Sequence, residues 1–325
     1  MLEALTVLAP MFMIFGVGFV AGYNSRFQQA ATGLNDFVFS IALPCFIYIS
    51  IATAELPESF PWHVWALALI FPAVFSILVY YGTRWLTPQH RRQAAPLSLS
   101  SSYGNVGYFG IPMTIALLGT DAAVPAAIVH LLHNLVFLIG YPVIRGNPHD
   151  TAESASRPAS NRSTLQRVGQ EILTRAVLSP VTVSTLLGIT VAALALPVPE
   201  VVTGSIQLLG ATAIPLALFS VGIAMHPALQ SLRSGGLSLG LVATGILLKN
   251  VMFPLATLGL AWMFRDAMGS GWFGTVILMA AMPMSTSGYI LSERYDASGD
   301  LAAAVLAGTT VLSIITVPLL AATLL

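Results

Sequence analysis

The stretch Ser101-Ser-Tyr-Gly-Asn-Val-Gly-Tyr-Phe-Gly-Ile-Pro112 lies midway through an apolar segment running from about Ala94 to Leu118. A helix that spans a bilayer should be regular, because lipid offers no partners for loose backbone groups. This segment carries Gly104, Gly107, Gly110 and Pro112 near its middle. Pro112 has no N–H and its ring clashes with the preceding turn, while glycine favours non-helical backbone. A break at membrane depth is tolerated only where it lines a cavity or is buried in protein. The stretch therefore predicts a broken helix beside a binding site.

The surrounding composition fits a membrane setting. Of 325 residues, 56% are apolar and 8% charged, against roughly 25% charged in a soluble domain. An all-α polytopic membrane protein is expected. No basic residue precedes the first apolar segment, which is long enough to span, so it reads as a span and not as a signal peptide. The formal net charge is zero, which does not indicate a nucleic-acid partner. The one cysteine, Cys45, cannot form an internal disulfide and reads as a small packed residue.

Ten segments of spanning length can be read, at about 4–23, 34–54, 62–86, 94–118, 122–144, 173–196, 203–225, 236–263, 271–293 and 299–323. The chain divides into a first five-helix unit over 1–144, a short cytoplasmic linker over 145–172 and a second five-helix unit over 173–325. The linker is rich in Ser, Ala, Asn, Pro and Arg and reads as solvated. Eleven arginines flank or lie in the loops after the odd-numbered segments, and only Arg265 lies on the other side. The positive-inside rule then puts the odd loops in the cytoplasm and both termini outside, in a cell (inner) membrane.

Prolines give the two units a common register. Pro10 answers to Pro180, Pro44 to Pro215, Pro72 to Pro254, Pro112 to Pro283 and Pro142 to Pro318, at offsets of 170, 171, 182, 171 and 176. Gly18 and Gly188 follow the first pair at equal spacing. Five crossings are odd in number, so the second unit is inserted upside down. Two inverted repeats of this kind are an architecture of secondary transporters.

The register pairs the opening stretch with Ala280-Ala-Met-Pro-Met-Ser-Thr-Ser-Gly-Tyr289. Segments four and nine are thus expected to be broken and to cross at the midplane. Proline favours the first position of a helix, so Pro112 and Pro283 are expected to start the second half-helices. Their N-termini would approach the midplane from opposite sides and offer N–H groups and positive dipole ends to an anion. The bland alternative is two proline kinks with no ligand role. Asn105 is expected at the end of the first half, either holding a carboxylate or capping freed carbonyls. Ser285, Thr286 and Ser287 either donate to a solute or bond back to their own helix.

Lys249, beside Asn250, lies mid-span, where a basic residue costs roughly 2.5–3.5 kcal/mol. It should face the interior and serve a solute anion, serve an internal partner, or stay neutral. The nearest acids, Asp36, Asp121 and Glu293, lie near segment ends. Segment five carries His130, His133 and Asn134, a cavity lining, a proton carrier or an interhelical pair; no cluster of further ligands suggests zinc. The candidate solute-binding set is Gly104, Asn105, His130, Asn134, Lys249, Ser285 and Thr286. Gly107, Gly110, Pro112, Pro283 and Gly288 shape the crossover. The register gives Asn105 the counterpart Val276 and Lys249 the counterpart Leu67, so the chemistry is expected on one side of a symmetric scaffold.

These residues resemble the auxin efflux carrier family of plant PIN-type carriers and bacterial malate- and malonate-type permeases. The resemblance covers almost the whole chain. It is carried by Asn105 with Gly110-Ile-Pro112, by Ala281-Met-Pro283 followed by Glu293-Arg-Tyr-Asp296, by Phe219-Ser-Val-Gly222 with His226-Pro227, and by Lys249 ahead of Pro254. It implies ten spanning helices in two inverted repeats, a substrate site at the crossing of helices four and nine, elevator-like transport of organic acids, and a homodimer. It also implies that Asn105 contacts a substrate carboxylate, that His130 falls near a polar site residue, and that Lys249 stands at a commonly basic position.

The function expected is secondary transport of a small organic acid across the bilayer, with no cofactor. Proton coupling, sodium coupling or neither fits the sequence. The alternative is a cation/proton antiporter of similar fold, which would need buried carboxylates. An enzyme is not indicated: no His-Glu-x-x-His motif occurs, and Thr286-Ser-Gly-Tyr lacks the first glycine of a nucleophile elbow. A pore or sensor would not need two pairs of half-helices.

Overall fold

The computed structural model describes residues 2–53, 61–141, 178–233, 238–296 and 299–324. The expected linker at 145–172 lies outside the described residues. The described residues are mostly helical, and one isolated pair of bridged residues is the only β-type pairing among them.

The helices in chain order are α1 (Leu2–Ala21), α2 (Ser25–Ala52), α3 (His63–Leu86), α4 (Ala94–Ser102), α5 (Val106–Leu118) and α6 (Thr120–Phe137). They continue with α7 (Pro180–Ala193), α8 (Glu200–His226), α9 (Leu239–Trp262), α10 (Arg265–Ala281), α11 (Thr286–Asp296) and α12 (Gly299–Leu324). Helix occupies each of the ten apolar stretches read from the sequence. Six helices are long and apolar enough to cross a membrane, and shorter apolar helices accompany them.

The tryptophans mark the depth of the bilayer. Trp62 and Trp65 are exposed at the start of α3 and Trp85 at its end. Twenty residues separate Trp65 from Trp85, about 30 Å of helix, the thickness of the hydrocarbon core. Trp262 is likewise exposed at the end of α9. Aromatic rings at both ends of an apolar helix are the interfacial anchors of a membrane protein.

Most of the prolines that set the register do not break their helices. Wide turns with hydrogen bonds reaching five residues back occur at Val38–Ala42, Ala66–Ile70, Val106–Gly110, Leu135–Gly140 and Leu248–Met252. Each is followed by one residue and then proline: Pro44, Pro72, Pro112, Pro142 and Pro254. A helical proline donates nothing and its ring crowds the carbonyl four residues back. Widening the preceding turn makes room for the ring and keeps the chain helical. Pro112 therefore does not start the second half of segment four. That half begins at Val106, and Pro112 lies inside it.

Helices pack closely where glycine allows it. A Cβ on Gly18 of α1 would overlap the Phe219 backbone of α8, and one on Gly222 would overlap Phe15 and Phe19 of α1. His226 closes the same seam, with Nε2 2.7 Å from the Phe19 carbonyl and its ring stacked on Phe19. The Phe219-Ser-Val-Gly222 and His226 pieces of the sequence thus build a helix–helix seam. In α7, a Cβ on Gly188 would sit 3.1 Å from the Tyr48 carbonyl of α2. Gly18 on Phe219 and Gly188 on Tyr48 are like contacts, their glycines 170 and their partners 171 positions apart. At the centre, Phe71 of α3 stacks on Phe253 of α9, centroids 5.5 Å apart and planes 11° apart. Leu67 and Lys249 are both buried, at matching places in the wide turns that precede these phenylalanines.

Candidate functional site

The helical trace of segment four stops after Ser102 and that of segment nine after Ala281. The two interruptions meet. Asn105 N donates to the Pro283 carbonyl at 2.7 Å, and Ser285 N donates to the Tyr103 carbonyl at 2.9 Å, around the bridged pair Gly104 and Met284. A break in lipid needs internal partners for its polar backbone, and each break here supplies them to the other.

The remaining N–H groups of the bridge go to side chains. Gly104 N donates to Nε2 of His133 on α6 at 3.1 Å. Met284 N donates to Oγ1 of Thr309 on α12 at 3.1 Å. His133 and Thr309 are 176 positions apart, the offset of the Pro142 and Pro318 pair. His133 is not in the solute-binding set that the sequence suggests, because nothing in the chain ties it to Gly104, 29 positions away.

Second half-helices begin at the crossover with polar caps. Asn105 Oδ1 accepts from Tyr108 N at 3.2 Å, so Asn105 caps α5 and does not end α4. Ser285 caps α11, with Oγ accepting from Ser287 N at 3.2 Å. Pro283 belongs to the extended break and does not start α11. The working counterpart of Asn105 is therefore Ser285. Val276, which the prolines matched to it, is buried within α10. The prolines misled because one lies inside its half-helix and the other inside its break.

Among the described residues, the N–H groups of Val106 and Gly107 at the head of α5, and that of Thr286 at the head of α11, have no hydrogen-bond partner. The same holds for Nδ2 of Asn105. Half-helix N-termini carry partial positive charge, so donors of one sign converge here. Thr286 is half-buried and Ser285 buried.

Lys249 adds a cation. It is fully buried, and Nζ donates to the Ala280 carbonyl at 2.9 Å. Ala280 is in the last turn of α10, where a cation meets the negative end of the helix. Nζ also lies 4.7 Å from the centre of the Phe253 ring. A Cβ on Gly104 would come 3.4 Å from Nζ, an ordinary contact distance, so the ammonium lies beside the bridge. Every acid whose side chain is described, namely Asp36, Asp121, Glu200, Asp266 and Asp300, is exposed.

The wall on the α6 side is a polar chain. Tyr103 Oη donates to Asn134 Oδ1 at 2.8 Å, and Asn134 Nδ2 lies 2.9 Å from Nε2 of His130. Tyr103 stacks on Phe137, with ring centres 4.7 Å apart. Small residues bring the parts together: a Cβ on Gly107 would sit 3.0 Å from His130, one on Gly110 2.5 Å from Met279 Sδ, and one on Gly288 3.3 Å from the Tyr103 ring. The expected set thus gathers around one crossover. No group of three or more metal-binding side chains forms among the described residues.

Similarity to known proteins bears on this arrangement. The family model described as membrane transport protein matches residues 3–321. A Rhizobium meliloti (strain 1021) protein named "Putative malonate transporter" is 25% identical over 323 residues, 98% of this chain and 94% of that one. A Methanothermobacter thermautotrophicus protein named "Uncharacterized transporter" is 23% identical over 296 residues, 90% of this chain and 88% of that one. From Oryza sativa subsp. japonica, a "Probable auxin efflux carrier component 5c" is 33% identical over 104 residues, 31% of this chain and 26% of that one.

Proposed function

Since this chain belongs to the membrane transport protein family of transporters, the auxin efflux carrier relatives that its motifs resemble, we propose that it is a secondary carrier for a small organic anion, held at the crossover. The observation that carries this reading is the meeting of buried Lys249 with the unpartnered N–H groups of α5 and α11, where every described acid is exposed. Taking a lysine to mid-membrane costs roughly 2.5–3.5 kcal/mol, and a carboxylate solute is the counter-charge that would offset it. The relative named for malonate transport favours a dicarboxylate. A cation/proton antiporter would need buried carboxylates, so it gains no support from the exposed acids.

The reading extends to ten crossings in two inverted repeats, 1–144 and 173–325, with a cytoplasmic linker between them. The like contacts of Gly18 and Gly188, the stacked Phe71 and Phe253, and the paired donors Gly104 and Met284 support it. Both termini lie outside the cell membrane, access alternates around the crossover, and the carrier works as a homodimer.

Reconstitution into liposomes tests the function. Labelled malonate, malate and an indole carboxylate are supplied with and without imposed proton and sodium gradients. Saturable uptake of a carboxylate is expected, and Asn105→Ala and Lys249→Ala should abolish it while remaining folded in detergent. Failure of the wild type to take up or exchange any carboxylate would overturn the reading, as would full transport by both variants.

A further inference from the structure

The two bridged residues are held alike, but their holders differ in one chemical respect. Gly104 gives its N–H to an imidazole and Met284 gives its own to a hydroxyl. A hydroxyl accepts at any physiological pH. An imidazole nitrogen accepts only while it carries a lone pair, and a proton there turns the acceptor into a donor. Since Nε2 of His133 accepts from Gly104, this structure holds its neutral form with the hydrogen on Nδ1, an assignment made from that bond.

Resting on the carrier reading above, we propose that His133 is the coupling-proton site: it takes a proton on Nε2 as the anionic solute binds, and carries it across with the solute. The proton comes from the water phase that delivers the solute and leaves on the opposite side. The Gly104 N–H, released from His133, is then free to donate to the solute carboxylate.

The surroundings of His133 explain why proton and anion would travel together. Lys249 of α9 lies beside the same glycine. Tyr103 of the break has its ring centre 5.8 Å from that of His133, and His130 lies one turn away on α6. Phe137 and Phe253 close the rest, at 5.1 and 6.5 Å between ring centres. Among the described residues no carboxylate faces this group. An entering carboxylate is therefore the counter-charge for both a protonated His133 and Lys249. Two ligands that stabilise one another are coupled, and the coupling is reciprocal.

The experiment reads lumenal pH in proteoliposomes with a trapped fluorescent dye while a labelled carboxylate is driven inward by its own gradient. Wild-type protein should acidify the lumen in step with uptake. His133→Gln can still accept the Gly104 N–H through its amide oxygen but cannot titrate between pH 5 and 8. It lacks the charge on His133 and keeps the Gly104 N–H occupied, so it should exchange labelled for unlabelled carboxylate at least tenfold more slowly than wild type, and the exchange that remains should bring no lumenal pH change. Carboxylate uptake by wild type without acidification, or a His133→Gln variant that still moves protons with solute, would overturn the proposal and leave the carrier reading standing. No carboxylate uptake or exchange by wild type would overturn both. The wild-type measurement decides the matter even if the variant does not fold.

Discussion

At the scale of single residues, Asn105 has two separable jobs. Its Oδ1 caps α5 through Tyr108 N, and its Nδ2 is one of the unpartnered donors at the crossover. Asn105→Asp keeps the capping oxygen but adds negative charge where a carboxylate is to bind. This variant should melt within a few degrees of wild type in detergent and take up no carboxylate. Asn105→Ala loses the cap as well, and should cost about 1 kcal/mol of stability in addition. Thermal unfolding and uptake, measured on both, separate the two jobs; uptake by Asn105→Asp would place the solute elsewhere. Much of this site was legible in the chain. Lys249 stands out because charge is expensive in lipid, and Asn105 and Ser285 because polar residues flank the glycines and prolines of the two segments. The partners were not legible, because a hydrogen bond between Gly104 and His133 joins positions 29 apart with no periodic signal between them.

At the scale of elements, glycines decide how closely helices approach. Gly222→Ala would force a methyl into the α1 backbone at Phe15 and Phe19. Neither neighbour can yield by rotating a side chain, so the α1–α8 seam must open. Overpacking of this kind costs typically 1–3 kcal/mol, and a clear fall in melting temperature is expected. Gly16→Ala has open space around the new methyl and gains helix propensity. It should melt no lower than wild type, and equal melting of the two variants would deny the seam. The helices themselves could be read from apolar length and their ends from loop composition. That segments four and nine break could be read as well, but where their second halves start could not. Proline marks a helix end in a soluble chain, but Pro44, Pro72, Pro112 and Pro254 here follow widened turns that keep the helix going. The true starts of α5 and α11 carry Asn105 and Ser285, ordinary caps that the prolines outshone.

At the scale of the whole molecule, orientation is open to a direct test. In a Cys45→Ser background, Arg91→Cys and Asp121→Cys place single thiols on exposed residues before α4 and after α5. A membrane-impermeant maleimide should label position 121 on intact cells and position 91 only on inverted vesicles. The opposite pattern would turn the molecule over. The two-bond join at the crossover has a mechanical consequence as well. Asn105 with Pro283 and Ser285 with Tyr103 act as a rivet through two crossed blades. Unriveted blades slide apart when one is pushed; riveted ones pass the push on. In the carrier proposed above, displacing α4 or α5 would therefore drag α10 and α11 along.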